Sequence, residues 1–307
     1  MTIAIAVVGL GKIAHDQHLP AIAASDEFTL VAGASPEGTA EGVPVFKDID
    51  ALLASGIAVD AIAMCQPPQV RYVTAAKAIR AGKHVLLEKP PGATLAEVEG
   101  LVRFAEEGGT TLFAAWHSRY APAVEQARAW LAGQQVVSAD VIWKEDVRRW
   151  HPGQQWIWQP GGLGVFDPGI NGLSILTRIM PDFIHLADGE MEIPSNRAAP
   201  IAARMSLADT QGAKINAEFD WRQTGPQSWD INVTTTTGTL ALSKGGSELV
   251  INGVSQPVAA HGEYPALYAD FARLIRAGKS DTDRSPLRLV ADAFLRSRHV
   301  ATEPFID

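Results

Sequence analysis

A glycine-containing segment near the start of the chain has the form of a loop that binds a dinucleotide. An apolar run ending at Val8 leads directly into Gly9-Leu10-Gly11-Lys12-Ile13-Ala14. In a strand-turn-helix unit, the first glycine permits a tight turn, the second admits a pyrophosphate, and the small last residue lets the helix pack closely. The segment predicts a coenzyme site held by Gly9, Gly11, Lys12 and Ile13; a plain strand-to-helix turn is the alternative.

The residue that ends the second predicted strand bears on which coenzyme is bound. A site selective for NAD usually has an acidic residue there, which binds the ribose 2′-hydroxyl. This chain has Gly33-Ala34-Ser35-Pro36-Glu37 instead. Ser35 can bind either a hydroxyl or a phosphate, and no arginine follows directly to pair with a 2′-phosphate. We therefore expect Ser35 to contact the coenzyme, and we expect the protein to use both NAD and NADP.

Tryptophans and charged residues alternate in the middle of the chain. Four of the eight tryptophans fall within residues 143–158, among Glu145, Asp146, Arg148, Arg149 and His151. Sugar rings stack their apolar faces on aromatic rings, while carboxylate, amide and imidazole groups bind the hydroxyls. This mixture predicts a sugar subsite with Glu145 as a ligand and with Trp150 and Trp229 as walls. The alternatives for the tryptophans are core packing and a subunit interface.

The composition of the chain excludes several kinds of partner. The 307 residues carry a formal net charge of −8, which repels nucleic acid, and no basic and aromatic cluster offsets it. No apolar run is long enough to cross a bilayer, and the apolar start lacks the basic segment of an export signal. The single cysteine fits a reducing, cytoplasmic compartment, and the histidines lack metal-ligand spacing. We expect a small-molecule ligand and no metal.

The pattern of apolar residues places these motifs on two domains. Up to residue 115, short apolar runs alternate with helical patterns, which is typical of a parallel sheet with crossover helices. Strands are predicted at 3–8, 28–34, 61–64, 84–87 and 112–115, and helices at 12–24, 49–54, 71–81 and 95–108, the first helix broken at Pro20.

The second part of the chain has a different pattern. Alternating segments between residues 184 and 251, separated by glycine and proline turns, predict an antiparallel sheet with one face covered by helices. The fold class is therefore α/β: a Rossmann domain with a parallel sheet at 1–118, and an α/β domain with an open, mainly antiparallel sheet at 119–307. The second domain is expected to bind substrate and form a homodimer, with a C-terminal helix able to pack on the first domain.

Two further motifs complete a family pattern. Cys65-Gln66-Pro67-Pro68 follows the third predicted strand, and Glu88-Lys89-Pro90 follows the fourth. With the glycine loop, they resemble the glucose-fructose oxidoreductase/inositol dehydrogenase family over essentially the whole chain. Segments 116–120, 143–153 and 164–171 are similar to its bacterial L-arabinose and D-galactose 1-dehydrogenases. The resemblance implies that Cys65, Pro67, Pro68, Glu88 and Lys89 lie at the coenzyme.

The resemblance also implies an activity and a catalytic pair. The expected reaction is NAD(P)-dependent oxidation of the anomeric carbon of L-arabinose, or of D-galactose or D-fucose, to the aldonolactone. Lys89 and Asp167 are the implied acid/base pair, and which of them is the formal base stays open. Many relatives carry a histidine four residues after this aspartate. This chain has Asn171 there, one helical turn from Asp167, and it is expected to bind a ring hydroxyl.

Two other expectations concern the substrate site and the class of protein. His117 comes just after the last strand of the first domain, where ligand crevices open, and is expected to bind substrate. A non-catalytic sugar sensor on the same fold is an alternative, although a sensor needs no Lys89/Asp167 pair. A carbonyl or imine reductase is a third possibility, but it would favour a more apolar pocket than Glu145, His117 and Asn171 provide.

Overall fold

The computed structural model describes residues 2–306 and divides into two compact units. The first unit combines the chain up to His117 with Gly262–Arg284, and the second combines Ser118–His261 with the segment from Ser285 onward. The predicted domain boundary lay after residue 118. The segment 262–284, which falls within the second predicted domain, groups with the first unit.

The secondary-structure elements are numbered in chain order. The strands are β1 (Ile3–Val8), β2 (Phe28–Ala34), β3 (Val45–Phe46), β4 (Ala61–Met64), β5 (His84–Glu88), β6 (Leu112–Ala115), β7 (Val136–Lys144), β8 (Ile184–Pro194), β9 (Ala202–Asp209), β10 (Lys214–Asp220), β11 (Ser228–Thr235), β12 (Thr239–Ser243), β13 (Glu248–Ile251), β14 (Val254–Ser255) and β15 (Arg298–Thr302). The α-helices are α1 (Leu19–Ala23), α2 (Ile49–Ala54), α3 (Pro68–Arg80), α4 (Leu95–Gly108), α5 (Val124–Leu131), α6 (Val147–Trp150), α7 (Phe166–Ile179), α8 (Glu263–Ala277) and α9 (Ser285–Arg296).

The first unit is a parallel sheet with strand order β3-β2-β1-β4-β5-β6. This order reverses direction between β1 and β4, which is the point where ligands bind in open α/β sheets. Strand residues such as Val8, Ile62 and Leu87 pack against α3 and α4 in a shared apolar core. The prediction of a Rossmann-type α/β domain is confirmed, and its five predicted strands lie within one residue of the observed bounds.

The predicted break at Pro20 is wrong. The helix that follows the glycine loop continues through a π-helical segment, Ala14–His18, directly into α1. In the π-helical segment Leu19 N donates to Ala14 O, five residues back, instead of four. The wider turn accommodates a proline, which lacks an N–H donor, without ending the helix. It also turns His18 into the interior, where its side chain is fully buried.

The later segment of the first unit joins the sheet at its β6 edge. Ala114 N donates to Asp281 O, and Asp281 N donates to Leu112 O, so residue 281 pairs beside β6. Helix α8 packs Phe271 against Phe28 and Phe113 in stacked ring contacts. These contacts explain why the segment belongs to a unit whose other residues end at His117, far earlier in the chain.

The second unit is built on a mixed sheet with the order β14-β13-β12-β11-β7-β10-β9-β8-β15. Within residues 2–306, two of its strand pairs are parallel, β7/β10 and β8/β15, and the other six are antiparallel, which confirms a mainly antiparallel sheet. Helix α7 packs very closely on the sheet. A Cβ on Gly169 would lie 2.8 Å from Phe219, and one on Gly172 would lie 2.8 Å from Trp143.

Candidate active site

The loops after the two central strands of the first unit touch each other at the point where strand order reverses. Gly9, directly after β1, has φ of +92°, and a Cβ there would lie 2.7 Å from the backbone nitrogen of Gln66, after β4. A Cβ on Gly11 would have no atom within 4 Å. The turn is therefore closed on the sheet side and open beside Gly11, at the start of the helix, where amide groups can hold a pyrophosphate.

The other predicted coenzyme residues lie along the same carboxyl edge of the sheet. Ser35 follows β2, and its Oγ accepts from Gly38 N at 3.1 Å, so its own O–H can still donate. Cys65 follows β4, and Pro67 and Pro68 begin α3. Lys12 forms an exposed ion pair with Asp16 one turn further along the helix. Direct contact of these residues with the coenzyme stays a prediction.

Substitution of the two loop glycines is expected to separate folding from coenzyme binding. Gly9→Ala strains a positive φ and collides with backbone, so the free energy of unfolding should fall by about 2 kcal/mol. Gly11→Ala meets open space, so stability should be unchanged, while the coenzyme Kd should weaken by about tenfold or more. Urea unfolding and a fluorescence titration of the reduced coenzyme would measure the two effects. Unchanged binding in Gly11→Ala would place the pyrophosphate elsewhere.

A buried arginine ties together the loops after β4 and β5. The Arg71 guanidinium donates to the backbone carbonyls of Gln66, Glu88 and Pro90. Its side chain is almost completely buried, so these charge-assisted hydrogen bonds are shielded from water. Arg71 therefore fixes the backbone on both sides of Lys89, which lies one residue beyond β5 at the carboxyl edge of the sheet.

His117, the predicted substrate ligand of the first unit, is part of an ordered polar group. It lies just after β6, and its Nδ1 is 2.6 Å from Glu263 Oε2 at the start of α8. The imidazole also stacks on Tyr264, with ring centroids 5.3 Å apart. Both contacts fix the orientation of the ring, because one holds an edge and the other holds a face.

The predicted sugar subsite of the second unit contains a buried carboxylate held between two indoles. Glu145 follows β7 directly, is 6% exposed, and accepts from Trp229 Nε1 at 3.0 Å and from Trp221 Nε1 at 3.4 Å. Pairing of β11 with β7 sets Trp229 opposite Trp143 and so brings its indole beside Glu145. Since each carboxylate oxygen has a second acceptor site, Glu145 can also accept hydrogen bonds from a ligand.

A histidine links Glu145 to Asp167. His151 Nε2 lies 3.5 Å from Asp167 Oδ2 and 3.9 Å from Glu145 Oε1. Asp167 is buried in the first turn of α7, where the positive end of the helix dipole favours a carboxylate. His151 directly follows the short helix α6 as its C-cap, and its backbone N–H donates to Val147 O. The second unit thus assembles two carboxylates around one imidazole.

The remaining predicted substrate residues lie around this group. Trp150 packs edge-on against Trp229, with ring centroids 5.6 Å apart, and its Nε1 donates to Gln227 Oε1. Trp150 is also one of the exposed large apolar side chains of the unit. Asn171 lies on α7, one turn after Asp167, and is half-buried. The pairing of Lys89 with Asp167 stays a prediction.

The sequence patterns did not identify several residues that lie around Glu145 or around Glu88. His151 was predicted only as one of the polar residues among the tryptophans of 143–158, and Trp221 had no predicted role within the alternating segments of 184–251. His18, Tyr264 and Tyr268 were not considered, although they surround Glu88. His18 ends a polar run, His15-Asp16-Gln17-His18, in which no sequence signal indicates that one member is buried.

Between residues 2 and 306, no cluster of three or more histidine, cysteine, aspartate or glutamate side chains has an arrangement that could hold a metal ion. Over the same residues, every helix is too short or too polar to span a membrane.

The strand order and the open glycine turn define the first unit as a dinucleotide-binding Rossmann domain. Comparison with known proteins assigns the whole chain to a family. Residues 3–115 match a family model described as an oxidoreductase family with an NAD-binding Rossmann fold. A galactose 1-dehydrogenase from Pseudomonas fluorescens is 46% identical over 305 residues, covering 99% of each chain. The protein therefore belongs to the glucose-fructose oxidoreductase/inositol dehydrogenase family and is an oxidoreductase.

Solved structures agree with this assignment. The crystal structure of a D-galactose-1-dehydrogenase from Rhizobium etli matches with a TM-score of 0.94 and 55% identity, over 99% of this chain and 98% of that chain. A 3-ketoreductase from Actinomadura kijaniata, in complex with NADP, matches with a TM-score of 0.83 over 98% of this chain and 100% of that chain. At 20% identity, the second match shows the shared fold alone.

Proposed function

We propose that the protein is an NAD(P)-dependent aldose 1-dehydrogenase that oxidises the anomeric carbon of L-arabinose, D-galactose or D-fucose to the aldonolactone. The observation that carries the proposal is the buried Glu145 carboxylate, held by two indole N–H groups beside His151. This combination of acceptors with aromatic faces suits the hydroxyls and C–H patches of a sugar ring. The names of two relatives matched over the whole chain support the same activity.

The three sugars form a natural substrate set. Their pyranose rings share the configuration of the hydroxyl groups at C2, C3 and C4, and they differ in the substituent at C5. A site that recognises the ring hydroxyls therefore accepts all three sugars. Which of them it prefers depends on the space around C5. The names of the relatives support D-galactose as the substrate, while the sequence resemblance implies L-arabinose first.

The reaction removes a hydride from C1 and a proton from O1. A nicotinamide coenzyme, when bound, would supply the acceptor for the hydride. The residues of the first unit fit such a coenzyme, because the turn at Gly9 is tight and the space beside Gly11 is open. We assign the proton of O1 to the Lys89/Asp167 pair, one of which takes the proton while the other orients the hydroxyl. His117, Glu145 and Asn171 hold the ring so that C1 and O1 are correctly placed.

The arrangement in the second unit adds His151 to this proposal. Its Nε2 lies 3.5 Å from Asp167 Oδ2 and 3.9 Å from Glu145 Oε1. The imidazole can therefore hold the Asp167 carboxylate in one orientation. It can also orient Glu145, whose carboxylate binds a ring hydroxyl of the sugar. The histidine that many relatives carry on α7 is replaced here by Asn171. An imidazole is nevertheless present beside Asp167, supplied by the loop after α6.

The test is a comparison of initial rates with matched sugars, followed by the absorbance of the reduced coenzyme. D-Galactose and D-glucose differ only at C4, and L-arabinose and D-xylose differ in the same way, so each pair contains its own control. We expect kcat/KM to favour D-galactose and L-arabinose over their C4 epimers by about 100-fold, because buried polar groups are left unpaired by the wrong epimer. Rates with NAD and NADP in the same assay test dual use.

Other outcomes would change the proposal. Preference for D-glucose or myo-inositol would contradict the proposed substrate set while leaving the oxidoreductase family assignment intact. The protein is an oxidoreductase, which argues against the alternative of a non-catalytic sensor. The homodimer and the cytoplasmic location stay predictions.

A further inference from the structure

The carboxylate of Glu88 is buried in the first unit and surrounded by hydrogen-bond donors. Its Oε1 lies 3.2 Å from His18 Nε2 and accepts from the Tyr264 hydroxyl at 2.5 Å. Its Oε2 accepts from the backbone N–H of Lys89 at 2.5 Å. Glu88 is only 2% exposed, so these contacts replace water around the charge.

The elements that supply these donors come from distant parts of the chain. The π-helical segment places His18 under the carboxyl edge of the sheet, and its Nδ1 lies 2.8 Å from the Tyr268 hydroxyl. Helix α8 carries Tyr264 and Tyr268 one turn apart, on its buried face. Both tyrosine rings also contact the imidazole edge-on. His18 is thus fixed at both nitrogens and by two rings.

We propose that His18 and Tyr264 are positioning residues for Lys89: they hold the Glu88 carboxylate ionised and in place, and that carboxylate in turn fixes the backbone of Lys89. The inference rests on the role of Lys89 in the proposed function. Neither His18 nor Tyr264 needs to touch the substrate, because their effect passes through Glu88 to the backbone N–H of the next residue.

The charges around Glu88 agree with this arrangement. Burial alone would raise the pKa of Glu88, but the hydrogen bond from His18 and the positive charges of His18, His117 and Lys89 lower this pKa to about 2. Burial also opposes charge on His18, yet Cys65, Tyr268 and Glu88 together raise the pKa of the imidazole well above its usual value. Both shifts favour an ion pair between a Glu88 carboxylate and a His18 imidazolium.

The tyrosines stay neutral: the Tyr264 hydroxyl donates to Glu88, and the Tyr268 hydroxyl accepts from Nδ1 of the protonated His18. Burial, followed by the charge of Glu88, raises the pKa of Tyr264 well above its usual value. Burial also raises the pKa of Tyr268, to about 12, against the opposing charge of His18. Two other charged groups lie nearby: Glu263 on α8 is paired with His117, and the Arg71 guanidinium donates to the backbone carbonyl of Glu88. The two neutral hydroxyl groups thus add no negative charge beside Glu88.

The kinetic test compares His18→Phe with His18→Gln. Phenylalanine keeps the ring but removes the donor and the charge, whereas glutamine keeps a donor toward Glu88. We expect His18→Phe to lower kcat by about 100-fold, because Lys89 loses its fixed geometry, while the KM for sugar stays within roughly threefold. His18→Gln should recover much of kcat. Tyr264→Phe, which removes one donor, should show a smaller loss of the same kind.

The pH profile distinguishes positioning from simple packing. Because the pKa of Glu88 is lowered to about 2, kcat of the wild type should have no acidic limb from this group in the assay range. His18→Phe removes the hydrogen bond and the charge that lower the pKa of Glu88, whereas the carboxylate stays buried. The pKa of Glu88 should therefore rise, and kcat should fall as the pH is lowered. Phe271→Leu is the matched control, since it loosens α8 without touching Glu88; its pH profile should be that of the wild type.

A second readout needs no substrate. In nitrogen-15 NMR spectra of histidine-labelled protein, the signals of His18, assigned by their loss in His18→Gln, should show a protonated ring at pH 8. In Glu88→Gln they should show a neutral ring. A neutral His18 in the wild type, or an unchanged kcat in His18→Phe, would overturn the inference. An inactive wild type that still shows the protonated ring would contradict the proposed function and leave the ion pair standing.

Discussion

Lys89→Met is expected to abolish sugar oxidation while coenzyme binding continues. Methionine matches the length of lysine but has no group that can donate or accept the proton of O1, so kcat should fall by about 1,000-fold. The turn itself should persist, because its carbonyls are held by Arg71 and its backbone N–H by Glu88. Steady-state kinetics with D-galactose and a titration with the reduced coenzyme would measure the two properties.

Lys83→Met provides the matched control for this substitution. Lys83 directly precedes β5 and Lys89 directly follows it, so the two lysines lie at opposite ends of one strand. Only the carboxyl end lies at the edge where ligands bind in such sheets. We expect Lys83→Met to keep the wild-type kcat. A Lys89→Met enzyme that retains more than about a tenth of the wild-type kcat would remove Lys89 from the proton transfer.

The fold of the first unit could be predicted because its signals are local. The glycine turn, the short buried strands and the intervening helices each occupy a continuous stretch, and their order implies a parallel sheet. The error at Pro20 arose because a general rule for proline was applied without the option of a π-helical turn. Residues 262–284 belong to the first unit because residue 281 pairs beside β6, and no local sequence pattern indicates this pairing.

The candidate site was predictable only where its residues stand at the ends of recognisable elements. Glu145 and Lys89 each follow a strand directly, and Asp167 begins a helix. His18 and Tyr264 are different, because they reach Glu88 over sequence separations of 70 and 176 residues. Such contacts depend on tertiary packing and produce no recognisable spacing in the sequence. His151 lies in a loop whose path depends on α6, a helix of only four residues.

The pair formed by Asp167 and His151 lies wholly within the second unit and suits a test by double substitution. The side chain of Asp167 is 3% exposed and that of His151 is 17% exposed, so their 3.5 Å contact is largely shielded from water. If the imidazole serves mainly to orient Asp167, its removal should matter only while the carboxylate is present. If the two groups act on the substrate independently, their effects should combine.

We therefore expect the two substitutions to be strongly non-additive. Asp167→Asn should lower kcat by about 1,000-fold and His151→Gln by about 30-fold, while the double variant should be no worse than Asp167→Asn. His185→Gln, which changes an exposed histidine on β8, is the matched control and should keep the wild-type kcat. A double variant that loses the product of the two single effects would show that His151 acts independently of Asp167. Its imidazole would then act through Glu145, the other carboxylate within its reach, and substitution of Glu145 should show the missing coupling.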